Sequence, residues 1–430
     1  MKTLDQIAAQ LQGYDPQALP ANSVLEFLAA LVTPVQQRME TQLFDALGRV
    51  LAEDVIAPFD VPPHDNSAMD GYAFDASQLK PGADLRLQVM GTALAGKAWR
   101  ASIGAGQCLK IMTGAIIPAG LDTVVPQEMV RIDGDTIVIA PGLLKAGDNR
   151  RLRGEDLKQG LPALLSGERL TPARLGLVAS LGLSRVVCFR PLRVAYFSTG
   201  DEILSLGEAP REGAVYDSNR YTVFGMLKRM GCEVLDMGVV RDDPARLEVA
   251  FKQAAEQADA IITSGGVSVG EADHTKTMMK KLGDVAFWRI AMRPGRPMAV
   301  GKIAKTAIEG QAKSAILFGL PGNPVAVMVT FLAFVRPALL QMMGCTQTAQ
   351  PLLKAKSLEA IRKKAGRTEY QRGWVSTAAD GSLQVKTTGN QGSGVLSSMT
   401  QANGLMVLHH DQGNFGVGDM VDVLMFDGAI

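Results

Sequence analysis

The chain has 430 residues with 44 Lys plus Arg against 43 Asp plus Glu, a formal charge of +1, so no global field draws it to nucleic acid or to an anionic membrane. Apolar residues at 47% and charged residues at 20% are ordinary for a globular protein, and the length calls for about three domains rather than one core. Cys108, Cys188, Cys232 and Cys345 lie far apart with no C-x-x-C pair, which disfavours a disulfide framework or a zinc knuckle and favours buried thiols in a reducing cytosol.

The first residues, "MKTLDQIAAQLQGYD", place Asp5 and glutamines where a signal peptide needs an unbroken apolar run, and a cytoplasmic protein is expected. Helical spacing in "SVLEFLAALVTPVQQRM" and again in "LFDALGRVLAEDV" predicts a mostly helical segment over residues 1–60. Three prolines and a glycine then interrupt the pattern, and residues 61–140 alternate short β-type runs with Gly and Pro turns, as in "LRLQVMGTALAG" and "DTIVIAP". Helical spacing returns near "TPARLGLVASLGL", so residues 61–140 read as a small β domain inserted into a helical domain built from 1–60 and 141–190.

From Leu192 strand and helix patterns alternate, the mark of a doubly wound parallel sheet over 191–345. The longest apolar run, Val325 to Val335, has 11 residues, too short to span a bilayer, and reads as a buried helix. Residues 350–430 are Gly-rich with β-type alternation and read as a C-terminal β barrel or sandwich. The fold class is thus multidomain α/β.

In an open α/β sheet, ligands bind outside the carboxyl ends of the strands. Here those ends carry "STGDE" (Ser198 to Glu202), "RDD" (Arg241 to Asp243), "SGGVSVGEAD" from Ser264, and "GLPGNP" (Gly319 to Pro324). Turn punctuation accounts for any one of these alone; their joint placement at one edge points to a site. Gly265 and Gly266 let backbone approach an anion, while Asn323 as a cap and Pro324 at the first helical position predict a rigid helix start. Asp201, Glu202, Asp242, Glu271 and Asp273 would repel a bare phosphate, so a divalent cation, most simply Mg²⁺, is expected between them. Arg293 and Arg296, in "RPGRP", form a candidate oxoanion clamp.

Other chemistries lack their motifs. There is no G-x-x-x-x-G-K-[ST], no G-x-G-x-x-G after a strand, no G-x-S-x-G elbow, and no H-E-x-x-H among His64, His274, His409 and His410.

Read together and in order, "DNSAMDGYAF", "MTGA", "RGED", "STGDE", "YDSN", "SGGVSVGEADHTK", "RPGRP", "GLPGNP", "QRG" and "QGSG" resemble the MoeA family of molybdopterin molybdenumtransferases, related to the E domain of gephyrin. The resemblance runs from about residue 20 to the end. It implies the last step of molybdenum cofactor synthesis, in which adenylylated molybdopterin and molybdate give the cofactor and AMP with Mg²⁺ required, in a homodimer whose site is shared between subunits. It also implies contact with other proteins of the same biosynthesis.

By motif, the resemblance brings Asp65 and Ser67 from the partner chain, with Thr113 near the cleft. Thr199, Gly200, Asp201 and Glu202, with Ser264, Gly265 and Gly266, would hold the pterin and phosphate end. Glu202, Asp242 and Asp273 would be the catalytic acids, with Asp242 and Asp273 on the metal. Pro321, Asn323 and Pro324 would shape the loop over the substrate, and Arg293, Arg296, Arg372 and Ser393 would line the molybdate pocket. The family turn usually reads K-P-G-K-P, so two arginines here change the anion geometry while keeping the charge. Two other readings are a molybdopterin adenylyltransferase, which resembles the doubly wound domain alone, and a gephyrin-like scaffold without activity.

Overall fold

The computed structural model describes residues 3–266, 274–306 and 313–426. A six-stranded sheet runs in the order Glu233–Val240, Arg193–Thr199, Ala260–Ser264, Ser314–Leu320, Pro297–Ala304, Gly283–Arg289. The first four strands pair in parallel, and the last two add antiparallel at one edge. The near-continuous apolar run "RVAYF" follows from burial on both faces: Val194 and Tyr196 enter one core cluster, Ala195 and Phe197 the other.

The helices between the strands begin and end where the sequence provides for it. The Asp217 carboxylate accepts the Arg220 N–H at 3.0 Å to start Ser218–Met230, and Gly231 ends that helix at φ 88°, a left-handed conformation that a side chain would disfavour. Asp243 likewise caps Pro244–Gln257 through the Arg246 N–H at 2.9 Å, with Pro244 at the first helical position. The helix that follows the strand Ser314–Leu320, Pro324–Met342, takes in a π-helical turn at Phe331–Val335. By length and composition its 19 residues could cross a membrane, but 78% of it is buried in the protein, where it forms the heart of the largest core cluster.

The N-terminal segment departs from its pattern. Ala21–Leu31 is a helix, but it packs into the core of the α/β domain beside Trp288 and Phe334. "LFDALGRVLAEDV" is no helix: it makes a short 3-10 turn at Leu43–Asp45, bridges from Val50 and Leu51 to Arg169 and Cys188, and a strand at Val55–Ile56. Gly48, at φ 75°, turns the chain, and Val50, Leu51 and Val55 bury against strands more than a hundred residues downstream, so tertiary packing overrides the local 3.6-residue spacing.

The inserted region is a six-stranded sheet in the order Thr123–Pro126, Gly71–Phe74, Gln107–Ile111, Leu85–Ala93, Thr136–Ile139, Arg131–Asp133. It is buried on both faces, with Ala73, Leu109 and Val124 on one side and Tyr72, Phe74 and Val125 on the other. At the C-terminus five strands close on themselves, since Thr368–Thr377 pairs both with Leu383–Thr387 and with Gly404–Leu408; the result is a barrel rather than a sandwich. The β-strand residues Met292–Arg293 attach to its outside, joining the barrel to the α/β domain.

Candidate functional site

The strand Arg193–Thr199 lies between Glu233–Val240, which follows it in the chain, and Ala260–Ser264, which follows later, so the order reverses there and opens a crevice at the carboxyl ends. A buried hydroxyl network holds the two lips of that crevice. Tyr196 Oη lies 2.9 Å from Ser198 Oγ and 2.7 Å from Ser264 Oγ, and burial drives the phenol pKa up, so it stays a neutral hydrogen-bonding group. The Thr199 hydroxyl donates to the Ser264 carbonyl at 3.5 Å, and the Gly265 N–H donates to the Leu320 carbonyl at 3.2 Å. Gly265 has φ 89°, and any Cβ there would collide with the Thr199 carbonyl, so glycine is required for the loops to lie this close.

The acids gather on the same edge. The Arg241 guanidinium donates to the carbonyls of Asp201 at 2.9 Å and Ile203 at 3.3 Å, and Arg211 donates to the Asp201 carbonyl as well. These arginines therefore fix the backbone, and among the described residues the Asp201 carboxylate accepts only the Asp242 N–H, at 3.3 Å. Asp242 Oδ1 accepts the Thr275 hydroxyl at 3.3 Å, and neither carboxylate has an ion pair among the described residues. The Glu202 carboxylate folds back over Gly200. Glu271 and Asp273 lie outside the described residues. Among those described, no three His, Cys, Asp or Glu side chains form a ligand set; Asp201 and Asp242 offer a pair of carboxylates, which suits a hard cation that takes its remaining oxygens from phosphate and water.

Beneath these loops lie two residues whose role the sequence left unassigned. Asp217 is 4% exposed and Asn219 8%, and Asp217 Oδ2 and Asn219 Oδ1 have no hydrogen-bond partner among the described residues. The Asn219 amide donates to the Gly322 carbonyl at 2.7 Å, tying the start of Ser218–Met230 to the "LPGNP" loop. The "YDSN" run signals a helix start; only the tertiary burial shows that its acceptors are left unsatisfied.

The "LPGNP" loop also departs from expectation at Asn323. It occupies the cap position of Pro324–Thr330 but its side chain makes no cap bond; it donates instead to Ser393 Oγ at 3.1 Å, and the Val325 N–H donates to the Ser393 carbonyl at 3.1 Å. A loop of the barrel thereby covers the helix start that a capping side chain would have covered. The neighbouring residues of that loop hold Arg372, whose Nη2 donates to the carbonyls of Asn390 at 3.1 Å and Gly392 at 3.0 Å and whose Nε donates to Ser398 Oγ at 3.0 Å.

Arg372 is 0% exposed as a residue and has no carboxylate partner among the described residues. Burial, and then the Arg293 charge, bring its pKa down to about 10. Both arginines line a cavity of about 520 Å³ together with Gln371 and Gln391. Arg296 and Ser393 do not line it; Gly295, at φ 94°, lies in the turn between the two arginines, and the Ile290 N–H donates to the Arg296 carbonyl at 2.7 Å.

Asp65, Ser67 and Thr113 form a separate group. Asp65 accepts the Arg153 N–H at 2.8 Å and pairs with Arg150 at 3.5 Å; the Ser67 hydroxyl donates to the Met69 carbonyl at 2.5 Å. Thr113 donates both its N–H and its hydroxyl to Asp70 at 2.7 Å, and the hydroxyl bond first, then the N–H bond, hold the Asp70 carboxyl below its usual range. Pro321 is buried at the end of its strand.

Three family descriptions match the chain in succession: the MoeA N-terminal region (domain I and II) over residues 19–182, the probable molybdopterin binding domain over 195–341, and the MoeA C-terminal region (domain IV) over 354–426. The chain is 39% identical to a molybdopterin molybdenumtransferase of Haemophilus influenzae over 99% of both chains, and 34% identical to one of a Nostoc species over 88% of this chain and 87% of that one. It is 30% identical to gephyrin of Dictyostelium discoideum, over 94% of this chain and 62% of the other. A molybdopterin biosynthesis moeA protein of Pyrococcus horikoshii superposes with a TM-score of 0.77 at 26% identity, covering 95% of this chain and all of the other.

Proposed function

The chain belongs to the MoeA family of molybdopterin molybdenumtransferases, and from that premise we propose how its own residues insert molybdenum into adenylylated molybdopterin and release AMP. The reading as an adenylyltransferase is not favoured, because regions on both sides of the α/β domain match the same family. The scaffold reading is not favoured either, since the relative aligned end to end is a transferase.

The observation that carries the residue-level reading is the contact of Ser393 with Asn323 and Val325. It sets the loop that holds Arg372 against the edge where Thr199, Gly200, Gly265 and Gly322 meet, so a cationic cavity and an acid-lined crevice adjoin in one chain. In this reading Ser264, Gly265, Gly266 and the Pro321–Pro324 loop receive the phosphates and pterin, the glycines letting the backbone approach the anion. Arg293 and Arg372 hold molybdate, a guanidinium fork matching the edge of a tetrahedral oxoanion. Asp201 and Asp242, with Asp273, would hold Mg²⁺, which when bound neutralises phosphate charge; Glu202 stands beside them to orient the reacting end.

The division at 1–60 with 141–190, 61–140, 191–345 and 350–430, the cytoplasmic location and the homodimer belong to the same proposal. So does completion of each cleft by Asp65 and Thr113 of the other subunit. All four cysteines are free thiols, and burial pushes Cys108 and Cys232 up to about 12, which suits inert core thiols in a reducing compartment.

The test is to supply adenylylated molybdopterin, Mg²⁺ and molybdate and to follow AMP and active cofactor together. Arg372→Lys is expected to raise half-saturating molybdate roughly tenfold to hundredfold, the loss of a charge-assisted contact, while adenylylated pterin binds as before. Unchanged molybdate dependence would remove Arg372 from the oxoanion pocket, and full activity in excess EDTA would remove the metal.

A further inference from the structure

The cavity that holds Arg293 and Arg372 is lined by six cationic side chains and one carboxylate: Arg362, Lys363, Lys364 and Arg367, with Glu369, complete the charged lining. At about 520 Å³ it is in the range of sites for drug-sized ligands, several times larger than one tetrahedral oxoanion. The inner arginines alone do not account for that room or for the charge around it.

The charges in the rest of this lining are not equivalent. Arg367 donates to Glu369 through Nε at 2.8 Å and lies 2.6 Å from it through Nη2, so this pair is neutral as a unit. Lys363 is 6% exposed, and its Nζ donates to the carbonyls of Gln412 at 2.7 Å and of Lys364 and His410 at 3.2 Å. Its own N–H donates to Asn414 at 2.8 Å. Lys363 therefore pins the turn to the barrel. Arg362 and Lys364, on either side of it, are exposed and make no ion pair among the described residues.

A basic turn on a surface is usually just solvated. Here six cations line one cavity in a chain that is nearly neutral at +1, and the turn bearing two of them is pinned by a buried lysine. Fixed charge of one sign around a concavity raises the local concentration of counter-ions and their rate of entry.

Resting on the reading of the Arg293–Arg372 pocket as an oxoanion site, we propose that Arg362 and Lys364 form an outer capture station that draws the tetrahedral oxoanion into the cavity before the inner arginines bind it. The station acts on capture, so its signature is in kcat/KM for molybdate and in salt dependence, as rim charges act in other encounters. A phosphate-bearing ligand has the same chemistry; the substrate whose concentration dependence shifts identifies the source.

The experiment compares wild type, Arg362→Gln/Lys364→Gln, Arg362→Lys and Arg372→Lys. Because Arg362 and Lys364 are exposed, the double variant should fold normally. Its kcat/KM for molybdate is expected to fall about tenfold at low ionic strength, a loss that excess molybdate overcomes and that fades as salt shortens the screening length to about 3 Å at 1 M. Arg362→Lys should retain the wild-type value, and sulfate should compete less effectively with molybdate in the double variant. Wild-type molybdate dependence of the double variant at every ionic strength, with Arg372→Lys still impaired, overturns the capture station and leaves the inner pocket standing. If Arg372→Lys is unimpaired too, both fall. A shift confined to adenylylated pterin would assign the turn to phosphate and overturn the proposal for molybdate.

Discussion

The two ends of the parallel sheet are built on opposite rules. At the amino ends, the Asp259 carboxylate accepts from the Arg190 guanidinium at 2.6 and 2.7 Å and from the Arg193 N–H at 2.9 Å, and Arg193 pairs with Glu233 at 3.0 Å. Burial works to raise the Asp259 pKa, yet the Arg190 bonds and charge keep it below the usual range. At the carboxyl ends, among the described residues, Asp201 and Asp242 have no cation, and Asp217, Asn219 and Thr263 keep buried oxygens without partners. An unsatisfied buried acceptor costs roughly 1–3 kcal/mol, so the second end is held at a cost that the first end does not carry. Such a cost is expected where a ligand completes the arrangement.

The largest effect that separates the two ends is on stability. Asp259→Ala removes one partner of a half-buried pair and leaves Arg190 uncompensated, and about 3 kcal/mol should be lost in denaturant unfolding. AMP release per folded molecule should stay at the wild-type level. Lost activity without lost stability would mean that the amino ends are not merely structural.

The next effect has the reverse form. Asp242→Asn keeps an acceptor for the Thr275 hydroxyl and removes one of two adjacent negative charges, so melting should stay level or rise slightly. Activity should fall roughly tenfold to hundredfold, with a higher Mg²⁺ requirement. A melting loss as large as that of Asp259→Ala, with activity retained, would make the carboxyl ends structural too.

The amino-acid pattern displayed much of this division. Strand and helix alternation gave the α/β sheet, and the Gly and acid clusters fell after strands, because period and turn chemistry are local properties. What it concealed depends on partners distant in sequence. Asn323 has the residue type and position of a cap, but its partner is 70 residues away. "LFDALGRVLAEDV" has helical spacing, but it buries against residues 164 to 188 as extended chain. Arg293 and Arg296 look like one clamp, yet of the two Arg293 lines the cavity with Arg372, and Arg362 and Lys364 carry no signal in the sequence until the barrel closes and brings them into the lining of the same cavity.

The smallest effect asks whether pairing alone, without burial, would give the amino ends their stability. Glu248, on Pro244–Gln257, accepts from Lys252 at 2.7 Å within its own helix and from Lys281 at 2.8 Å on His274–Leu282, which leads away from the carboxyl-end loops. The bonds to Lys252 and then Lys281 bring its pKa from the ordinary 4.5 down to about 2. A carboxylate whose folded pKa is depressed contributes stability that is fully present above 4.5 and is lost as pH falls toward 2. Glu248→Gln should therefore flatten the melting curve's dependence on pH in that window and change little at pH 7, because both lysines are well exposed and salt screens the pairs. Asp259→Asn should act over a similar acidic range but also cost stability at neutral pH, since Arg190 is left half-buried with its partner's charge gone. If Glu248→Gln cost as much at pH 7 as Asp259→Asn, charge pairing by itself would stabilise this domain, and the unpaired acids at the carboxyl ends would stand out far less as a site.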